Sequence, residues 1–284
     1  MYFSEIPPPA FRHLISFHYQ MGMTKTLPGS KGEMLLPSGS GIMGFHVKGR
    51  YFVDTLADFS GKLPKNYLIG QQTISYRLST PNPQVLIFGL ALQPTAIWKL
   101  FRIPVFKLTN YPMELSGLIG EEFSPYLDRI NLADTPEEKM IRAYGLIEVL
   151  DRRSEAGRSL VDFGLELILA KKGCITTREI CKELHVSERH LQHLFRQQVG
   201  VSPLSYARIT RFNAIFTEFA KSDEPKDIQF LMSFYNYYDS SHFIKDFKSF
   251  CRQAPSQFHL DQFQLLRQLM EKDPYLIQVR GKFT

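Results

Sequence analysis

Residues 175–203 read ITTREICKELHVSERHLQHLFRQQVGVSP, and this stretch decides the fold of the C-terminal half. Thr176-Thr177-Arg178-Glu179 has the spacing of a capping box, in which a Thr hydroxyl and a Glu carboxylate satisfy the free amides at a helix start. The helix that follows, REICKEL, puts Ile180 and Leu184 on one face. It ends at His185, a position where a glycine or a left-handed residue lets a chain turn. Ser187 then caps a second helix, SERHLQHLFRQQVG, with Leu191, Leu194 and Phe195 inward at spacings of three and four. Gly200 ends it, and Ser202-Pro203 opens the next. Two short helices joined by a tight turn, the second rich in polar donors, are predicted to form a helix-turn-helix.

The pattern occurs twice. Ile228, Leu231 and Met232 share a helix, the chain turns through Asn236, and Asp239 caps DSSHFIKDFKSF with Phe243 and Phe247 inward. At a constant offset of 52, Ser187, Leu191, Phe195 and Arg196 answer to Asp239, Phe243, Phe247 and Lys248, and Pro203 and Tyr206 to Pro255 and Phe258. Before the turn the offset is 51, so the second copy has one extra turn residue. Between the copies, Pro203 to Lys221 is predicted to be one helix through Tyr206, Ile209, Phe212, Phe216 and Phe219, whose Arg208 and Arg211 are expected to touch a backbone or lie in solvent.

Working outward, the polar run DRRSEAGRS (151–159) separates this helical region from a different pattern. HLISFHYQMG, IMGFHVKG, YLIGQQTISYRL and QVLIFGLAL read as strands, bounded by LPGSKG, LPSGSG and STPNP. From Glu114 the period becomes helical, and Thr135 is the expected N-cap before Pro136. The expected fold class is α+β. A β-rich, barrel or cupin-like domain covers 1–110, a helical connector 111–158, an all-α domain with two helix-turn-helix motifs 159–262, and a tail 263–284. The tail reads as an amphipathic helix and an extended end, with no function attached.

Composition bounds the function. The 284 residues are 44% hydrophobic and 22% charged, which excludes disorder, collagen-like repeats and a disulfide scaffold. Residues 1–170 carry 17 basic against 16 acidic residues, and 171–284 carry 17 against 12, so the net charge of +6 sits mostly in the C-terminal part. A polyanion is expected to bind there. Cys174, Cys181 and Cys251 form no CxxC pair, MYFSEIPPPAFRH does not read as a signal peptide, and no apolar run is long enough for a membrane span. The expected location is the cytoplasm, with no membrane partner.

SERHLQHLFRQQVGVSPLSYARITRFNAI and YYDSSHFIKDFKSFCRQAPSQF resemble the C-terminal DNA-binding domain of the AraC/XylS family of bacterial transcription regulators. More loosely, FGLALQPTAIWKLFRIP and the polar helix after it resemble the sensor domains that precede such domains. By position, the resemblance implies that Arg189, Gln192 and His193 face the major groove in the first motif, and Ser240, Ser241, His242 and Lys245 in the second, with Arg196 and Lys248 as further DNA-facing cations. Arg and Gln bond bidentately to guanine and adenine, so the first helix is expected to read bases and the second to position phosphates. Two departures mark the second motif: Asn236 and Arg252 stand where the family has glycines. The implied partners are double-stranded promoter DNA, a small-molecule effector, a homodimer partner and, for an activator, RNA polymerase.

No GxSxG, HExxH, GxxxxGK[ST] or GxGxxG is present. His13, His18 and His46 lack the companions of a metal site, so neither metal nor cofactor is assigned and the chain is not expected to be an enzyme. Phe88, Trp98 and Phe101 are candidates for lining an apolar ligand pocket, with plain core as the alternative. A β-barrel that binds or transforms a small molecule on a helical scaffold, and a nonspecific DNA binder, are the competing functions.

Overall fold

The computed structural model describes residues 1–26, 32–57, 59–154, 157–220, 235, 237, 239–258, 263 and 265–268. Among the described residues, ten strands form two sheets. Strands β1 (Tyr2–Glu5), β2 (Ile15–Thr24), β4 (Gly41–Lys48), β7 (Asn66–Ile69), β9 (Gln84–Leu92) and β10 (Met113–Glu114) make a six-stranded sheet in the order β1-β2-β9-β4-β7-β10. Strands β3 (Glu33–Leu35), β5 (Phe52–Leu56), β6 (Phe59–Lys62) and β8 (Tyr76–Ser79) make the second, in the order β3-β8-β5-β6. All the strand pairs are antiparallel.

Alternation along β9 explains the layering. Val85, Ile87 and Ala91 join the core between the two sheets, while Phe88, Leu90 and Leu92 point the other way. On that second face lie α1 (Ala96–Phe101), α2 (Ser124–Asn131) and α3 (Pro136–Arg152), which bring Leu100, Leu127 and Ile147 to the sheet. The long sheet is therefore buried on both sides, as its near-continuous apolar strands require. Thr135 caps α3 by accepting from the Glu138 amide at 3.1 Å, with Pro136 in the first turn.

Two details differ from the sequence pattern. YLIGQQTISYRL splits into β7 and β8, which belong to different sheets, and α1 interrupts the strand-rich part before β10 returns to pair with β7. Phe88, Trp98 and Phe101 lie on the helix side of the long sheet. Phe88 is fully buried under the helices, and Trp98 and Phe101 pack against that same core, on the face of the sheet away from the chamber described below.

Glycines admit close packing at the sheet centre. Gly89 pairs with Tyr19 and Gly44 with Tyr67, and each tyrosine ring lies over its glycine. A Cβ would sit 2.2 Å from the Tyr19 ring at Gly89 and 2.4 Å from the Tyr67 ring at Gly44. Only a missing side chain leaves that space.

The C-terminal part is helical: α4 (Leu160–Ala170), α5 (Thr177–Leu184), α6 (Glu188–Gln198), α7 (Pro203–Ala220) and α8 (Ser240–Cys251). The expected first helix of the second motif (Ile228, Leu231, Met232), Asn236 and the end of the tail lie outside the described residues.

Candidate nucleic-acid interface

Local chemistry fixes both helix pairs. The Thr176 Oγ1 accepts from the Glu179 amide at 3.2 Å, and the Glu179 carboxylate accepts from the Thr176 amide at 2.7 Å, so the expected capping box is complete. The Thr176 hydroxyl also donates to that carboxylate at 2.7 Å, and this bond together with the one from the Thr176 amide holds the Glu179 carboxyl below its ordinary pKa. His185 then adopts φ 54°, ψ 44°, and the Val186 amide returns to the Cys181 carbonyl at 3.1 Å. That left-handed turn costs a non-glycine residue about 1 kcal/mol. Ser187 caps α6 by accepting from the His190 amide, and Asp239 caps α8 by accepting from the His242 amide at 2.7 Å.

The inward faces are as the spacing implies. Leu191 and Phe195 are fully buried with Ile180, Cys181, Val161 and Ile168, while Phe243, Phe247 and Phe250 are buried on α8. Helix α7 serves both cores. Tyr206 and Ala207 belong to the first, and Ile209, Phe212 and Phe216 to the second. Over ten residues, about 15 Å of helix, one rod changes allegiance from one motif to the other.

The outward faces carry the candidate contacts. Arg189, Gln192 and His193 are exposed together on α6. Ser240, Ser241, Lys245 and Lys248 are exposed on α8, whereas His242 is half-buried, its ring edge-on to Tyr237 at 5.1 Å. Arg196 is exposed, but its guanidinium rests 4.8 Å above the Phe106 ring of the N-terminal part. Arg252 takes φ 57° after α8, the left-handed geometry that favours glycine.

Sequence reasoning misassigned Arg208 and Arg211 and missed their partner. Neither arginine is free. Arg208 donates to Asp246 Oδ1 at 2.7 and 3.2 Å, Arg211 to Oδ2 at 3.4 Å, and the Tyr237 hydroxyl to Oδ2 at 3.2 Å. Asp246 is 2% exposed. Burial together with the Asp246 charge pushes the Tyr237 phenol up, so it stays a donor. The signal was present: Asp246 answers to Leu194 at the repeat offset, on the inward face between Phe243 and Phe247, where an acid needs a buried cation.

The helical C-terminal part is docked on the N-terminal part. Asp162, at the start of α4, accepts from Thr95 Oγ1 at 2.6 Å and from Lys99 Nζ at 3.0 Å, and its other role is to cap α4 through Ser159. Burial alone raises the Asp162 pKa, but the bonds from Thr95, Ser159 and Lys99 outweigh it and the net shift is downward. Thr109 Oγ1 donates to the Gly200 carbonyl at 2.9 Å, and Gly200, at φ 98°, has no room for a Cβ, which would meet Thr109 Oγ1 at 2.7 Å. Tyr206 Oη donates to the Gly39 carbonyl at 3.2 Å.

Between the sheets lies an apolar chamber of about 120 Å³, walled by Tyr19, Tyr67, Val53 and Leu78 and bounded on the C-terminal side by Asn213, Phe216 and Leu266. Among the described residues there is no group of His, Cys, Asp and Glu able to hold a metal, and no helix is long and apolar enough to cross a membrane.

Comparison with known proteins bears on this interface. Residues 180–260 match the family model described as a helix-turn-helix domain. No curated protein matches. Among solved structures, ToxT from Vibrio cholerae is 12% identical, covering 87% of this chain and 98% of its own, at a TM-score of 0.46. An unsaturated fatty acid-bound ToxT is 13% identical, covering 84% and 92%, at 0.41. The AraC-like transcriptional activator CuxR is 15% identical, covering 74% and 85%, at 0.23. The sequence match falls on the capped helix pair of α5 and α6 and on α8, so residues 180–260 of this chain are a helix-turn-helix domain.

Proposed function

We propose that the chain is a sequence-specific transcription regulator that reads promoter DNA mainly with α6, assisted by α8, under the control of its N-terminal part. The observation that carries this reading is the shared helix α7, which holds two capped helices with exposed polar faces in one fixed relation. Arg189 and Gln192 supply base contacts, and Lys245 and Lys248 supply phosphate contacts. The division into a regulatory part (1–110), connector (111–158), reading domain (159–262) and tail (263–284) belongs to this proposal.

Control works through the docked interface. Asp162, Gly200, Tyr206 and Arg196 of the reading domain all engage the N-terminal part, so a small molecule that favours one docking arrangement shifts the DNA-binding population. The N-terminal part also dimerises in this scheme.

Selection of bound sequences from a random duplex pool at about 150 mM salt tests the reading, because phosphate contacts alone weaken steeply there. Two half-sites about one helical turn apart are the expected product. No enrichment, or enrichment unchanged by Arg189→Ala with Gln192→Ala, overturns it.

A further inference from the structure

We propose that the chamber between the sheets takes an uncharged, single-ring compound bearing one hydroxyl or carbonyl, and that the bound ring lies directly against α7. This rests on the small-molecule control proposed above and names the class of ligand.

Size comes first. The chamber encloses about 120 Å³, and an engineered apolar protein cavity of about 150 Å³ takes up benzene. One ring fits.

Chemistry narrows the class. No described residue lining the chamber carries a charge; its polar atoms belong to tyrosines, Ser38, Ser40, Gln72 and Asn213. Strand alternation is the cause, since Val53 and Leu78 face inward while their neighbours Asp54 and Arg77 face away. Burial holds the Tyr19, Tyr67 and Tyr76 phenols well above their ordinary pKa, so all three are neutral hydroxyls at pH 7. The charge felt at the adjoining Tyr51 is the Glu33 carboxylate, of the sign that repels an anion. A buried carboxylate would therefore lack a cation, whereas a hydroxyl or carbonyl finds donors of the right kind.

Position links the chamber to DNA reading. Asn213 and Phe216 border it from α7, the helix that carries the cores of both motifs, and Phe216 also packs on Phe247 of α8. A ring in the chamber touches the element that sets the relation between the two reading helices.

Calorimetric titration of the full chain at pH 7 with 4-methylphenol, toluene, benzoate and decanoate tests the assignment. We expect 4-methylphenol to bind at least tenfold more tightly than benzoate. Tyr67→Phe and Tyr76→Phe together weaken 4-methylphenol by about tenfold, the worth of roughly one hydrogen bond, while toluene stays within twofold. Retained toluene binding separates a lost hydroxyl contact from a misfolded sheet. Ile42→Trp, which fills the chamber, removes both ligands. Benzoate or decanoate binding as tightly as 4-methylphenol overturns the class, and so does a folded chain that takes up none of the four. 4-Methylphenol binding with DNA affinity unchanged supports the class and overturns only the control role; a chain that selects a DNA sequence yet binds no probe overturns this inference alone.

Discussion

Asp246→Asn is the most informative single change. The carboxylate is 2% exposed and accepts two bonds from Arg208, one from Arg211 and one from Tyr237. Asparagine keeps the volume but removes the charge, and its NH₂ group then faces guanidinium donors. Removing one member of a buried ion pair costs about 3–5 kcal/mol. Part of that is recovered here, because the Arg208 side chain is 36% exposed and rehydrates, whereas Arg211 at 12% does not. The net expectation is about 2–3 kcal/mol, below the roughly 5–15 kcal/mol that holds a domain together. The variant should fold. Urea unfolding should show a midpoint lowered by about 1 M at an unchanged slope, and a double-mutant cycle with Arg208→Met should give a coupling of about 1 kcal/mol or more. A shift under about 0.5 kcal/mol, or a coupling near zero, would sink the argument that this carboxylate ties α8 to α7.

Other expectations follow from the same contacts. Lys245→Ala and Lys248→Ala should each lower the slope of log K against log salt by about 1 without changing the selected sequence, read by binding titrations at several salt concentrations. Lys99→Met removes the cation beside Asp162, loosens docking of the reading domain, and should raise DNA affinity by up to about tenfold without effector; lower affinity would count against competition between docking and reading. His46 supplies a pH test. Its Nδ1 donates to the Pro64 and Lys65 carbonyls, and its bare Nε2 accepts from the Tyr51 amide, so protonation breaks the latter bond. Burial lowers its pKa to about 4 from 6.5. Between those values the unfolded chain binds the extra proton, so stability falls as pH drops from about 6.5 to 4, by about 3 kcal/mol in all. His46→Gln should be less acid-sensitive by that amount in urea titrations, and equal sensitivity would refute the assignment.

How much of this was legible depends on whether the signal was local. Capping by Thr135, Thr176, Ser187 and Asp239 is written in residues three apart, and each cap forms as its spacing implies. Strand β9 was legible from its apolar run, but the face toward which Phe88 points was not, because both faces of that strand are buried and alternation gives no polar side to mark. The partner of Arg208 and Arg211 is nonlocal: Asp246 lies 38 and 35 residues away, and only its mismatch with Leu194 in the repeat hints at it. The contacts of Asp162 with Thr95 and Lys99 span more than sixty residues and have no motif at all.

The sharing of α7 between two hydrophobic cores has a consequence for how operator spacing can change. A loop between two reading modules can lengthen by single residues and leave each module's aim intact. A rod cannot. Each residue inserted into α7 would advance the second motif by about 1.5 Å and swing it by about 100°. Even a seven-residue insertion, nearly two turns, would restore the helix phase only after moving the motif about 10 Å, roughly three base pairs along a duplex that has itself rotated by nearly a third of a turn. Divergence of the binding site in relatives of this protein should therefore proceed by changing bases at fixed spacing, with the distance between half-sites the last property to drift.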